Sequence, residues 1–454
     1  MLDYTTAVKS ERSALRVNPA KTCQPVGAMY AALGVHECMP HSHGSQGCCA
    51  FHRMFLTRHF KDPAMASTSS FTEGASVFGG GTNLKTAAKN IFDIYNPKII
   101  AVHTTCLSET IGDDLNAFIQ DIDVPEGKYM VHCNTPSYYG SHVTGFSNMV
   151  AGFIRYLSKS SGRKNKKVVL MPGFVNPGDM REMKRLTEAM GVSYTMLPDT
   201  TGVMDSPMTG KFELYPKGGT TVEEIISLGD SACTFAFGKA ASEVPAETLT
   251  KKCAVPHTLL PLPIGIGRTD EYIMALQNYT KEAVPYVVEE ERGQLVDILI
   301  DIHPYTYNKK VAIFGDPDTV LSIAEFTLEM GMIPKYLVTG TPGDAFEKAA
   351  NELFTKFGVE GCKAKAFADL FELHQWIKQE GVDLLIGGTH GKYIARAEDI
   401  PFVRAGFPII DRYIHSYLPI VGYKGGMRLA ELIMNALMDR QDRDSLEEDF
   451  EMVM

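Results

Sequence analysis

The chain has no apolar run approaching the length of a bilayer span, and its opening Met1-Leu2-Asp3-Tyr4 begins no signal peptide. It holds a single tryptophan. No strand-to-helix turn reads GxGxxG or GxxxxGKS, so the nucleotide-binding fingerprints of α/β proteins are missing. An excess of positive charge is missing too. Lys and Arg number 44 against 54 Asp and Glu, a formal charge of −10, which argues against nucleic acid or an anionic membrane as the main partner. Cysteine is sparse: nine in 454 residues, an odd number, without the short spacing of a zinc knuckle or a CxxC ferredoxin. A disulfide-stapled secreted scaffold would be shorter and denser in cysteine. Reduced thiols in a cytoplasmic protein, a subset of them bound to metal, are the expectation.

What is there reads as a soluble globular chain, 44% hydrophobic and 22% charged, long enough for two or three domains. Short β-branched runs alternate with amphipathic stretches, the pattern of parallel α/β sheets. The runs begin at Lys98, Lys167, Lys310 and Val382. Two units echo each other. Lys166-Lys167-Val168 leads through Pro172-Gly173 to Met190-Gly191 and a strand near Tyr194; Lys309-Lys310-Val311 leads through Gly315-Asp316-Pro317 to Met330-Gly331 and a strand near Tyr336. Such an echo predicts repeated βαβ units. A polar stretch at 158–166, a helical pattern from Glu289 to Ile302 followed by Pro304, and an acidic segment from Asp439 to the end mark the boundaries. The expected fold class is α/β, with three doubly wound, Rossmann-like parallel-sheet domains at 1–160, 161–305 and 306–454, the last ending in a helix and acidic tail.

Four short stretches carry the chemistry: Thr22-Cys23-Gln24-Pro25, His43 to Cys48 (HGSQGC), Thr104-Thr105-Cys106 and Thr135-Pro136-Ser137. Each sits at a break between apolar runs, flanked by Gly, Pro or Thr. A thiol on such a loop can turn toward a shared ligand, and nearby backbone N–H groups can donate to sulfide. Gly44 and Gly47 would let backbone approach a bulky inorganic group. Cys106 follows the strand at 98–102, at the carboxyl end where open α/β sheets bind ligands. Taken singly, Cys48 reads as a buried structural cysteine and Ser137 as a turn residue. Together the long, irregular spacing points to something larger than one tetrahedral ion. Cys38, Cys49, Cys133, Cys233, Cys253 and Cys362 read as core packing.

Along essentially its whole length the chain resembles the β chains of nitrogenase molybdenum–iron proteins. The matching segments are Asn18 to Pro25, His43 to Cys48, Thr72-Glu73 with Val77-Phe78-Gly79-Gly80, and Thr104 to Asp114 (TTCLSETIGDD). They continue through Thr135-Pro136-Ser137, Gly140 to Gly145 (GSHVTG), Glu291-Arg292-Gly293 and Gly406 to Ile409 (GFPI). The resemblance implies that Cys23, Cys48 and Cys106 are thiolate ligands to a P-cluster (8Fe-7S) shared with the nitrogenase α subunit. Ser137 would match the hydroxyl that ligates iron when that cluster is oxidised; an alkoxide is harder than a thiolate and favours oxidised iron.

The same resemblance implies a mononuclear metal, Fe or Ca, between two β chains. Asp297 and Asp301, four apart on a predicted helix, would be ligands, joined by the Asp62 carboxylate and the Lys61 main-chain carbonyl, where other members carry Arg-Glu. By itself the Asp297/Asp301 pair reads as a solvated acidic face. Phe78 reads as a core aromatic from pattern alone, but the resemblance places it where a homodimeric iron protein with MgATP docks transiently. The implied assembly is an α2β2 heterotetramer in which the FeMo cofactor, and all its ligands, belong to the α subunit. This chain would relay electrons for reduction of dinitrogen to ammonia, without membrane or nucleic-acid partners. Two departures stand out: only 22 residues precede Cys23, a short form, and Phe51 stands where some members have tyrosine. The rival readings are a cofactor-assembly scaffold, the β chain of a vanadium or iron-only nitrogenase, and a protochlorophyllide-type reductase subunit. Retention of Cys23, Cys48, Cys106 and Ser137 together speaks against the first.

Overall fold

A computed structural model describes residues 16–211 and 213–447; the last seven residues of the acidic C-terminal segment lie outside them. The described strands form three sheets, all parallel. The first comprises β1 (Cys38–His43), β2 (Ser67–Thr68), β3 (Ile99–Thr104) and β4 (Tyr129–Cys133), in the order β2-β1-β3-β4. The second comprises β5 (Val168–Met171), β6 (Tyr194–Met196), β7 (Cys233–Phe237) and β8 (His257–Leu260), in the order β6-β5-β7-β8. The third comprises β9 (Lys310–Gly315), β10 (Ile333–Thr339), β11 (Lys363–Lys365), β12 (Leu384–Gly387) and β13 (Phe402–Arg404), in the order β11-β10-β9-β12-β13. Helices cover both faces, which is why Ile99-Ile100-Ala101-Val102 and Leu384-Leu385-Ile386 are apolar without alternation and fully buried.

Contact density divides the chain in two. Residues 22–261, with the first and second sheets, form one compact unit; the described residues from 262 onward form the other together with residues 16–21. Three sheets therefore occupy two units, and residues 262–305, set with the second sheet by the sequence boundaries, group with the third. In that unit the N-terminal segment is tied down: Pro19 bridges to Asp369, and the Val17 N–H donates to the Asp369 carboxylate at 2.8 Å.

The sequence echo is a repeated βαβ unit. The helices Pro177–Ala189 and Pro317–Glu329 both begin with proline, whose missing N–H is no loss at that position. Both end at a methionine followed by a left-handed glycine, Gly191 at φ 71° and Gly331 at φ 77°. The closing bonds match one for one: Gly191 to Glu188 and Val192 to Thr187, Gly331 to Leu328 and Met332 to Thr327. The long helix expected near Glu289 spans Tyr286–Thr306 and includes Pro304 in its last turn rather than stopping before it.

Register in the first sheet decides where the chemistry falls. Cys38 pairs with Ile99 and His43 with Thr104, while His103 pairs with Cys133. The strands thus end level, and the loops carrying Cys48, Cys106 and Ser137 leave side by side. From β1 the chain winds outward to β2, and from β3 it winds the other way to β4. The switch point lies between β1 and β3, where parallel sheets open a crevice at their carboxyl ends.

Candidate metal-cluster site

Three helix starts present the three thiols. Cys23 is the N-cap of the helix Gln24–Leu33, Cys48 lies in the first turn of Gln46–Phe60, and Cys106 opens Cys106–Ile111. All three are half-buried, whereas Cys38, Cys49, Cys133 and Cys253 are buried; Cys233 and Cys362 are half-buried elsewhere. Cys48 and Cys106 stand within side-chain hydrogen-bonding reach, and both act electrostatically on Cys23. Burial, reinforced by those two neighbours, pushes the Cys23 thiol up to about 11; burial and then Cys106 push Cys48 up. Cys23 and Cys48 therefore resist ionisation until a cation joins them.

Space opens beside one of the thiols. Among the described residues no three His, Cys, Asp or Glu side chains gather closely enough to hold a single metal ion. Gly47, beside Cys48, is exposed, and a Cβ there would meet only Ser45 Oγ, at 3.7 Å. Gly44 has a different reason from the one its motif predicts: a Cβ there would strike the Thr105 side chain, so it serves strand-end packing.

Ser137 lies half-buried in a turn after β4, and two clamps hold that turn. Upstream, the Thr135 N–H donates to Thr104 Oγ1 at 2.6 Å and the Thr135 hydroxyl to the Thr104 carbonyl at 2.7 Å. Thr104 Oγ1 in turn donates to Glu109 Oε1 at 2.5 Å. Downstream, Gln24 Nε2 donates to the carbonyls of Pro136 (3.1 Å) and Tyr139 (2.9 Å). The helices Gln24–Leu33 and His142–Leu157 touch backbone to backbone, because a Cβ on Gly27 would overlap the His142 carbonyl and one on Gly145 the Gln24 carbonyl.

A buried polar line runs behind the thiols. Asp113 accepts from His43 Nε2 (2.9 Å), and His43 Nδ1 meets Ser69 Oγ (2.9 Å). Ser69 Oγ meets His41 Nε2 (2.8 Å), and His41 Nδ1 meets Ser67 Oγ (2.9 Å). Burial drives His41 down to about 3 and His52 to about 4, and lowers His103 strongly. Gln24 and this line escaped the sequence reading. Their signal was polarity in the wrong place: His41-Ser42-His43 inside a parallel strand.

The other expected residues fall apart from the thiols. Lys61 closes the helix Gln46–Phe60 in a left-handed conformation, φ 68°, its N–H on Thr57 O. Asp62 Oδ2 is buried without a partner among the described residues, and burial and then Asp205 raise its carboxyl. An orphaned carboxylate oxygen fits a hard cation. Asp297 and Asp301 are both exposed on one helix, with Ile300 between them 67% exposed. Phe78 is 89% exposed and Val77 74%, so Phe78 is not a core aromatic. Gly79 ends its short helix at φ 93°, and the Gly80 N–H donates to Asp113, which joins that surface to His43. Phe51 is partly exposed and packs on Phe55 at 4.8 Å between ring centroids. Among the described residues no helix is long and apolar enough to cross a membrane.

The family profile described as "Nitrogenase component 1 type Oxidoreductase" matches residues 23–438. A nitrogenase molybdenum–iron protein beta chain of Clostridium pasteurianum is 60% identical, covering all of both chains. One of Nostoc is 40% identical over 96% of this chain and 86% of its own length. A solved structure titled "Nitrogenase Cp1 at pH 6.5" superposes with a TM-score of 0.98 at 60% identity, over 99% of each chain. A second structure, "Nitrogenase Cp1 at pH 5", shares only the fold: 16% identity and a TM-score of 0.69. A parallel α/β chain with its thiols at a sheet switch point thus belongs to the nitrogenase component 1 type oxidoreductases, among the molybdenum–iron protein β chains.

Proposed function

We propose that this chain holds half of a P-cluster, 8Fe-7S, through Cys23, Cys48 and Cys106, the partner α subunit completing the ligand set in an α2β2 heterotetramer. The observation that carries the reading is the convergence of three half-buried thiols from three helix starts at the first sheet's switch point. When bound, the cluster supplies single-electron storage between the ATP-driven iron protein and the FeMo cofactor of the α subunit, where dinitrogen is reduced to ammonia. The chain's own residues hold and insulate. The N–H groups of Cys23 and Val26 at the helix start face the Cys23 sulfur and favour its charged form against burial. Thr104, Thr135 and Gln24 keep the Ser137 hydroxyl at the same crevice. Phe78 and Val77 offer the iron protein an apolar anchor beside a loop pinned to Asp113.

Asp62 with the Lys61 carbonyl from one β chain, and Asp297 with Asp301 from its twin, form a hard-oxygen set for Fe or Ca. Nine cysteines, all free, suit a reducing cytoplasm. The test is iron, acid-labile sulfide and the oxidised-state EPR spectrum of this chain co-expressed anaerobically with its α partner, in a host unable to make the molybdenum cofactor. A double-cubane signature is expected, and Cys106→Ala should abolish it. A single-cubane spectrum, or no cluster, would instead favour an assembly scaffold.

A further inference from the structure

We infer that Gln24 is the positioning residue for Ser137, fixing where the serine hydroxyl stands relative to the neighbouring Cys23. The inference rests on the cluster reading above and adds a residue to it. Gln24 is 1% exposed, and both donors of its amide and one lone pair of its oxygen are used. Both Nε2 protons go into one turn, to Pro136 O and Tyr139 O, and Oε1 accepts from Asn148 Nδ2 at 3.2 Å. Those two carbonyls are the first and last of the four-residue turn in which Ser137 and Tyr138 are central, and Tyr139 N–H closes it on Pro136 O at 3.3 Å.

Beyond the Thr104–Thr135 clamp upstream and its own closing bond, the turn is held by the Gln24 amide. Tyr138 and Tyr139 are 69% and 67% exposed, so no core packing fixes their side chains within this chain. The neighbouring fold makes room for the amide: Gly140 sits at φ 64°, where a Cβ would lie 3.1 Å from Gln24 Nε2. Because Gln24 follows Cys23 directly, and Gly27 locks their helix onto His142–Leu157, the amide transmits the Cys23 position to Ser137 through one rigid side chain. A glutamine with only a packing role would not need both donors on the carbonyls that bracket one serine. Losing the two donors would strip the Tyr139 carbonyl of the amide and leave the Pro136 carbonyl only the Tyr139 N–H, which loosens the turn and not the helix.

The test uses the anaerobically purified α2β2 protein. Gln24→Met keeps the volume and removes both donors; Asn148→Ala removes the group that orients the amide, along with its bond to the Asn134 carbonyl at 3.3 Å; Ser137→Ala is the reference for losing the hydroxyl. Iron and sulfide content are read first, then the midpoint potential of cluster oxidation against pH. The expected result is wild-type iron and sulfide in Gln24→Met, with the potential moved toward that of Ser137→Ala and its pH dependence flattened. Asn148→Ala should move the same way by less. Full metal content with wild-type potential and slope in Gln24→Met would overturn the inference and leave the cluster reading standing. Should Gln24→Met fail to assemble, Asn148→Ala decides: a shift in the same direction supports the role, and unchanged behaviour overturns it. A wild-type protein without a cluster would instead remove the reading on which the inference rests.

Discussion

Strands β1 and β9 are both six residues long, and each borders the switch point of an all-parallel sheet. Yet β1 reads Cys-Met-Pro-His-Ser-His and β9 reads Lys-Val-Ala-Ile-Phe-Gly. All of β1 is buried, as is β9 after Lys310. In the third sheet the apolar strand is ordinary: Ala312 and Phe314 join Tyr336, Val338 and Trp376 in one cluster. In β1, His41 and His43 each find two partners inside the protein, since a buried unpaired polar group costs about 1–3 kcal/mol. Ser67, Ser69 and Asp113 supply them. A fold that tolerates such polarity at one switch point and avoids it at the other marks the sheet that carries chemistry.

The largest effect that would sharpen this contrast comes from backbone approach. Gly27→Ala places a Cβ on the His142 carbonyl, where neither backbone can yield. We expect a loss of about 3 kcal/mol or more in the 22–261 unit, with the cluster lost alongside it. Gly381→Ala is the control in the other unit: nothing lies within 4 Å of its Cβ, and thermal unfolding should stay within about 0.5 kcal/mol of wild type. Equal losses in both variants would break the claim that the helix contact at the thiols is the tighter one.

Acid should separate the two units next. His41, His52 and His103 have depressed values in the folded chain, so the unfolded chain binds more protons at low pH. Their stability contribution is whole above about 6.5. It declines as pH falls from there toward about 4 for His52 and about 3 for His41, by ~1.4 kcal/mol per pH unit and histidine at most. In the third-sheet unit, burial opposes ionisation of Glu325, but Arg268 and Lys356 outweigh it and lower its value. Asp411 is lowered by Thr389 and Arg404 against the same opposition. Those contributions persist until pH falls below the ordinary carboxylate range. In the cluster-free chain between pH 6.5 and 5, amide exchange in β1 and β3 should accelerate. Fluorescence of Trp376, the single tryptophan and part of the third-sheet cluster, should hold steady. An early change at Trp376 would reverse the assignment.

The contrast also explains what the sequence made legible. β3, β5, β9 and β12 announce themselves as apolar runs because strands buried on both faces have no other composition available. The repeated βαβ unit was readable from Met-Gly at the helix ends, since a left-handed cap requires glycine's freedom. Strand β1 was not readable, because a strand that breaks the apolar rule looks like a loop until its serine and aspartate partners are seen. The thiol loops were readable as breaks, but no local signal links Gln24 to a carbonyl 112 residues away. Pro304 misled for the opposite reason: the helix runs two residues past it to Thr306, although a proline forgoes the N–H bond to the carbonyl four residues back.

A smaller effect tests how far the buried line reaches. Asp113 accepts from His43 Nε2 and from the Gly80 N–H, and an asparagine offers only one oxygen for both. Asp113→Asn should cost about 1–3 kcal/mol in the first-sheet region. Asp411→Asn, which weakens a pair with Arg404 in the other unit, should cost about 1 kcal/mol or less, the Arg404–Asp411 pair being only partly buried.

Phe78 should give the smallest stability change and the most selective functional one. Its ring is almost wholly exposed, so Phe78→Ala removes little buried area and should shift unfolding by less than about 0.5 kcal/mol. If the ring anchors the reductase, ATP-driven electron delivery should fall at least tenfold, equal to about 1.4 kcal/mol of lost docking energy. Reduction of the cluster by a small chemical donor should be unchanged. Tyr286, 73% exposed in the other unit, is the control, a second bare aromatic. Tyr286→Ala should leave electron delivery intact. If both substitutions slowed delivery alike, exposure alone would account for the loss. If only Phe78→Ala does so, the loop pinned through Gly80 and Asp113 to His43 is the entry to the working sheet, and the polar strand behind it is the reason that surface sits where it does.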